Sequence, residues 1–339
     1  MAGPVPFSRF SPEAHPSAFS SSLEPVETPV DSPPPPRQGT QNEPALEDVT
    51  FRHSGWQHAR GQTLEAFGPP LRPDDRADRF RHCGSNAWLL RSRDNPETYR
   101  IAADFCHDRF CIPCARARGK RIAAVLADWC KDKTLSFITL TLRQEEQPLS
   151  ETIDHLLASF RRLRQCKAWL RAVAGGVAFV EIKRGVKLDR WNVHLHVLAV
   201  ADWLPYKTLS RMWLKCTTTS FVTDIRPVPD IGHAVQYITK YASKSIAHQI
   251  YGVLDHLQEA MAALGGRKLA ITFGTARKLH LNDKTDPGDW DAVCTLHTLR
   301  RQAEIGEQWA QALLELVTEK FSCPKNPTSA RSPPLLLDL

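Results

Sequence analysis

The chain has 339 residues, 42% of them hydrophobic, which allows one large domain or two around an ample buried core. Its 44 Lys plus Arg against 37 Asp plus Glu leave a net charge of +7, unevenly spread: residues 1 to 75 carry −5 and the remainder +12. No apolar stretch is long enough to span a bilayer, and the start, Met1-Ala2-Gly3-Pro4-Val5-Pro6, lacks the basic and apolar regions of a signal peptide, so the expected location is the cytoplasm, with no membrane partner.

Residues 1–78 are rich in Pro and Ser, including Pro33-Pro34-Pro35-Pro36, and have no hydrophobic periodicity; the expectation is a disordered tail. A basic body behind an acidic tail suits a polyanionic partner, because Lys and Arg displace counterions from phosphates. The nine cysteines are an odd number without an export signal, which favours metal ligation or free thiols over disulfides. Four of them cluster over residues 83–114, inside the zinc-binding segment and basic helix expected over 79–130. Cys111 and Cys114 form a Cys-x2-Cys knuckle, and with Cys83 and Cys106 they can complete a closed, structural tetrahedral Zn²⁺ site. His82 or His107 can stand in for one thiol, and buried unligated cysteines are the alternative. Arg116, Arg118, Lys120 and Arg121 follow on a helix reaching about Trp129, where they face either DNA backbone or solvent.

The catalytic-looking part is expected over residues 131–280. Leu135-Ser136-Phe137-Ile138-Thr139-Leu140-Thr141-Leu142 reads as a Thr-rich strand, and residues 149–173 as a helix with an apolar stripe through Ile153, Leu156, Leu157, Phe160 and Leu163. Gly176-Val177-Ala178-Phe179-Val180-Glu181-Ile182 is a second strand. Val193-His194-Leu195-His196-Val197-Leu198-Ala199-Val200 is a third, and its period of two puts both histidines on one face. Two neutral imidazoles side by side make a pair of metal ligands, although they are also acceptable as polar residues on a wet face. Trp169, Trp191, Trp203 and Trp213 are either core residues or stacking platforms.

Residues 205–215 read as a short helix and 220–226 as a strand. The next helix has its core stripe through Val235, Ile238, Ala242 and Ile246. Its periodicity sets Tyr237, Lys240, Tyr241 and Lys244 on the face opposite that core. Phenols become nucleophiles when something favours the phenolate, and neighbouring ammonium groups do so while also holding phosphate. A further strand near 269, a helical region over 281–322 and a flexible tail over 323–339 complete the chain. The expected fold is α+β, with a mainly antiparallel five-stranded sheet flanked by helices and an N-terminal zinc-binding segment.

The Thr-rich strand, the His-hydrophobic-His strand, the tyrosine helix and the block Gly265-Gly266-Arg267-Lys268-Leu269-Ala270-Ile271-Thr272-Phe273-Gly274, in this order, resemble the rolling-circle plasmid replication initiators of the HUH endonuclease superfamily. The resemblance implies a metal-dependent, site-specific DNA nickase and strand transferase that attaches to DNA through tyrosine. It implies that His194 and His196 hold a divalent ion, Mn²⁺ or Mg²⁺, with an acidic third ligand from a neighbouring strand. Glu181 is the best candidate, because a hairpin through 184–191 brings it beside His194; an exposed strand carboxylate is the alternative. The position four residues before the nucleophile, often glutamate in these initiators, is Tyr237 here, so Tyr237 and Tyr241 resemble the two-tyrosine branch, with a slight preference for Tyr241 as first nucleophile. The implied partners are origin DNA, single-stranded or extruded, and the host replication machinery. A two-tyrosine transposase and a non-catalytic zinc-containing DNA-binding regulator are the competing readings.

Overall fold

A computed structural model describes residues 43–185, 188–202, 204–243, 246–281 and 288–322. The elements in chain order begin with α1 (Glu43–Arg52), α2 (Gln57–Phe67), α3 (Arg76–Arg81), β1 (Trp88–Ser92), β2 (Tyr99–Ala102) and α4 (Ile112–Cys130). The middle of the chain holds β3 (Leu135–Thr141), α5 (Leu149–Leu163), α6 (Lys167–Ala172), β4 (Val173–Arg184), β5 (Trp191–Ala201), α7 (Tyr206–Thr217) and β6 (Thr223–Pro227). After them come α8 (Ile231–Ser243), α9 (Leu254–Ala263), β7 (Ala270–Gly274), β8 (Trp290–Thr295), α10 (Leu296–Glu304) and α11 (Gln308–Phe321).

The expected α+β class and five-stranded antiparallel sheet are present, in the order β6-β3-β5-β4-β7. Alternation along the strands sorts the side chains onto two faces. Ile138, Leu140, Ala178, Val180, Ile182, Leu195 and Val197 point to one face, where Ile153, Leu156 and Phe160 of α5, Leu209 and Trp213 of α7 and Leu257 of α9 cover them. Leu135, Val177, Phe179 and Leu198 point to the other, beneath Ile122, Ala123 and Leu126 of α4 and Ala234 and Ile238 of α8. The histidine strand is central and buried on both sides, which is why it reads as an almost continuous apolar run. Trp169, Trp191 and Trp213 are core residues at 2%, 2% and 0% exposure, so none of them is a stacking platform; Trp203 lies outside the described residues.

A second sheet, β2-β1-β8, was not expected. It joins the cysteine segment to the end of the chain: Ala87 and Leu89 share a core with Leu296, Leu299, Val317 and Phe321, and Phe51 of α1 packs against it. The expectation of a disordered tail through residue 78 fails from Glu43 onward, since α1, α2 and α3 are helical and bury Val49, Trp56, Ala59 and Phe80. These helices are short of apolar residues and have no strong amphipathic stripe, so local pattern does not mark them; their burial comes from docking on partners far away in sequence. The tails over 1–42 and 323–339 lie outside the described residues.

Asp48 of α1 is 4% exposed, and one carboxylate oxygen accepts the Ala87 N–H at 3.3 Å while the other has no hydrogen-bond partner among the described residues. Burial pushes its carboxyl up to about 6, against the opposing pull of the Ala87 N–H and Arg300. A raised folded-state value means that the native chain holds a proton the unfolded chain has lost, so this group favours folding less as pH rises from about 4 through 6. Asp48→Asn is expected to stabilise the protein at pH 8 by roughly 1–2 kcal/mol, less than the full linkage of about 3 kcal/mol because the amide N–H₂ is buried in turn. Urea unfolding at pH 8 and pH 5 checks this; a gain no larger at pH 8 than at pH 5 would contradict it.

Candidate active site and metal centre

Strand register assembles the first group. β3 pairs Thr139 with His196 and Thr141 with His194, and β4 pairs Glu181 with His194, across the hairpin expected over 184–191. All five side chains share the face covered by α8. His196 Nε2 donates to Glu181 Oε2 at 2.8 Å, and Lys183 Nζ approaches the same oxygen at 2.9 Å. His194 Nδ1 lies 3.1 Å from Thr141 Oγ1, and His196 Nδ1 lies 3.3 Å from both Thr139 Oγ1 and Tyr237 Oη. The threonines thus orient each ring through its Nδ1, and a hydroxyl serves that nitrogen equally well as donor or acceptor.

Burial keeps both imidazoles neutral, lowering His194 to about 4 and His196 in the same direction. Burial acts the other way on Glu181, but the hydrogen bond from His196 and the Lys183 ammonium outweigh it and bring the carboxyl down to about 2. Two neutral imidazoles and one ionised carboxylate are donor types that open divalent sites use. The three donors are not drawn tightly together, since the two rings are 6.0 Å apart at their centroids.

The tyrosines do not face away from the core as helix periodicity suggested. α8 turns them onto the sheet: the Tyr237 ring stacks on Phe137 at 3.9 Å, the Tyr241 ring stacks on His196 at 3.6 Å, and the two phenol rings are 4.6 Å apart. A tyrosine ring is largely apolar, so it joins the arc of Ala234 and Ile238 that meets the sheet, while Lys240 stays exposed with its Nζ 5.0 Å from the Tyr241 ring. Ile246, assigned to the core stripe of this helix, lies beyond it and bridges to Ile182. Burial raises the Tyr237 phenol well above its ordinary value and raises Tyr241 as well, so both are protonated at neutral pH. Lys244 lies outside the described residues.

The cysteines form the second group. Among the described residues, Cys83, Cys106, Cys111 and Cys114 are the His, Cys, Asp or Glu set whose ligand atoms all lie within 4.8 Å of one another. Their Sγ separations of 3.7 Å (Cys83–Cys111), 3.6 Å (Cys83–Cys114) and 3.7 Å (Cys106–Cys114) fit a tetrahedron of thiolates. Thiolates about 2.3 Å from zinc sit about 3.8 Å apart along each edge. This cluster can hold a structural metal. His82 and His107 are not in the set; His53 is the imidazole that approaches, with Nε2 3.5 Å from Cys111 Sγ. Arg52 Nη2 donates to Cys114 Sγ at 3.3 Å and Nη1 to the Phe321 carbonyl at 2.8 Å. Burial alone would lower that guanidinium, but the neighbouring thiolates more than compensate and hold it charged.

The four basic residues after the cysteines divide. The Arg116 guanidinium lies 4.6 Å over the Trp56 ring and Arg118 donates to the His107 carbonyl at 2.9 Å; Lys120 is exposed and Arg121 half-buried. Sequence reasoning missed Lys183, whose signal was its position two residues beyond Glu181 on the same strand face. It also missed Arg226 and Asp224, which pair at 2.8 Å on β6 beside Thr139.

Residues 99–314 match the replication protein family Rep_1, and the chain belongs to that family. The match takes in the whole histidine–tyrosine face and three of the four clustered cysteines. No curated protein and no solved structure matches the chain. A replication protein works on DNA, and no helix among the described residues is long and apolar enough to cross a membrane.

Proposed function

We propose that this replication protein initiates rolling-circle replication of a plasmid or related mobile element by nicking one strand at the origin and remaining attached through tyrosine. The observation that carries the reading is the meeting of a buried neutral histidine pair, an ionised carboxylate and two phenols on one sheet face of a replication protein. His194, His196 and Glu181 would hold a divalent cation, Mn²⁺ or Mg²⁺, which when bound supplies Lewis-acid polarisation of a non-bridging phosphate oxygen.

The chain's own residues account for the rest. Tyr241 Oη forms a bond to the scissile phosphorus as the bond from phosphorus to the 3′-oxygen breaks. The phenol gives up its proton, the leaving 3′-oxygen gains one, and the 5′-phosphate stays on tyrosine. The phosphotyrosine bond keeps the energy of the original linkage, so a free 3′-hydroxyl can reverse the exchange and reseal the strand. Tyr237, one helical turn away, is the second nucleophile for a later transfer, and its tie to His196 favours Tyr241 as the first. Lys240 sits where it can favour the Tyr241 phenolate; Lys244 follows one turn later in sequence and would share this role. The four cysteines hold structural zinc. Lys120 and Arg121, with Arg116 and Arg118 beside them, line the approach of single-stranded or extruded origin DNA, and host replication proteins extend the freed 3′ end.

Single-stranded oligonucleotides tiling the native origin, incubated with Mn²⁺ or Mg²⁺ and resolved on denaturing gels, test the reading. The wild type is expected to form a covalent adduct, Tyr241→Phe to lose most of it, and the Tyr237→Phe/Tyr241→Phe double variant to lose all of it. Tight origin binding with no adduct under either metal would replace the enzyme with a DNA-binding regulator.

A further inference from the structure

Lys183 lies on β4 two residues beyond Glu181, so the two side chains share the sheet face of the histidines. Its Nζ is 2.9 Å from the Glu181 oxygen that also accepts from His196, so the carboxylate already carries a cation. The two groups are placed very differently: the lysine side chain is 40% exposed and the glutamate 8%. A compact ammonium on a flexible four-carbon stem therefore stands at the exposed side of the contact, over a buried acid. Its charge also reaches inward, where it disfavours protonation of both imidazoles and favours the Tyr241 phenolate.

We propose that Lys183 is a resident cation with two stations, holding Glu181 while no divalent ion is bound and moving to an oxygen of the scissile phosphate when the carboxylate turns to the ion. This rests on the reading above that Glu181, His194 and His196 hold a divalent cation. An ammonium and a divalent ion on one carboxylate oxygen repel each other at a few ångströms, so one must leave. The incoming phosphate offers the displaced ammonium a new anionic partner. Metal and DNA then assist one another: the ion loads weakly without substrate, because it must displace Lys183, and more tightly once phosphate takes that lysine away. By linkage, the metal strengthens DNA binding by the same factor. The site is thereby discouraged from assembling before a strand is in place.

Mn²⁺ titrations followed by the paramagnetic resonance signal of the free ion, in the uncleaving Tyr237→Phe/Tyr241→Phe background, test this without reference to activity. Without DNA, Lys183→Met is expected to bind Mn²⁺ about 5- to 50-fold more tightly, since it removes both a competitor and a repelling charge. A single-stranded origin oligonucleotide is expected to tighten Mn²⁺ binding in the Lys183-containing protein, little in Lys183→Met, and again in Lys183→Arg, where a cation is restored. Matching thermal melts establish that Lys183→Met is folded. If Lys183→Met binds Mn²⁺ like its parent and responds equally to DNA, while His194→Ala abolishes binding, the role of Lys183 is overturned and the divalent site stands. If His194→Ala binds Mn²⁺ as well as its parent, the divalent site itself is wrong and the inference falls with it.

Discussion

Replacing Cys111 with serine is expected to yield a chain that no longer folds cooperatively and purifies without the zinc proposed for the wild type. Cys111 is 1% exposed at the start of α4, and its partners come from the loop after α3 and from Cys106. The cluster also anchors α1 through Arg52 and His53, and Arg52 in turn holds the carbonyl of Phe321 at the end of α11. Four segments, from both ends of the described chain, therefore depend on one centre. Structural zinc contributes about 10–16 kcal/mol in small zinc domains, against a total stability of roughly 5–15 kcal/mol for an ordinary domain. The loss of one thiolate from a buried site is thus large enough to decide whether the β2-β1-β8 region folds. Elemental analysis for one zinc per chain, together with near-ultraviolet circular dichroism and urea unfolding of the wild type and variant, measures it. A metal-free variant with the wild-type unfolding midpoint would remove the structural role of the cluster.

His194→Ala is expected to slow covalent adduct formation by about a thousandfold or more, the scale of several kcal/mol of lost transition-state stabilisation. Oligonucleotide affinity should change by only about a few-fold, because phosphate contacts elsewhere supply most of it. His194 is a cleaner test than its neighbour. His196 also stacks on Tyr241, touches Tyr237 and bonds Glu181, so its removal disturbs three side chains at once. The Thr141 hydroxyl is the contact that His194→Ala leaves behind on the sheet, and water can take it. Adduct yield over time, measured beside filter binding on the same oligonucleotide, separates the two effects; normal cleavage in the variant would exclude His194 from the site.

The face that carries these groups was legible because a strand repeats every two residues. That period alone aligned His194 with His196, and a short hairpin between two apolar runs brought Glu181 opposite His194. The spacing of the four cysteines likewise marked a cluster able to hold a metal without knowledge of the fold, because a Cys-x2-Cys knuckle holds two thiols at the required distance. A helix offers a weaker guide. Its periodicity grouped Tyr237, Lys240 and Tyr241 correctly as neighbours, yet it assigned the tyrosines to the outside, since a residue that is both aromatic and polar suits either side until the opposing surface is known.

Sequence by itself determined the five strands of the larger sheet, the shared face of the histidines and the gathering of the cysteines, all of which follow from local spacing and short connections. The tertiary structure decided what depends on distant partners. β1 pairs with β8, about 200 residues away, and neither strand is marked strongly enough to be seen alone. α1 reads as tail because its hold comes from the cysteine centre and the C-terminal helices, and α2 because it docks on α9 and the main core, not from their own composition. The place of Lys183 on Glu181, and the inward turn of the two phenols, were likewise settled by which surfaces packed together, since charge and aromaticity name a side chain's capacity and only the fold supplies its partner.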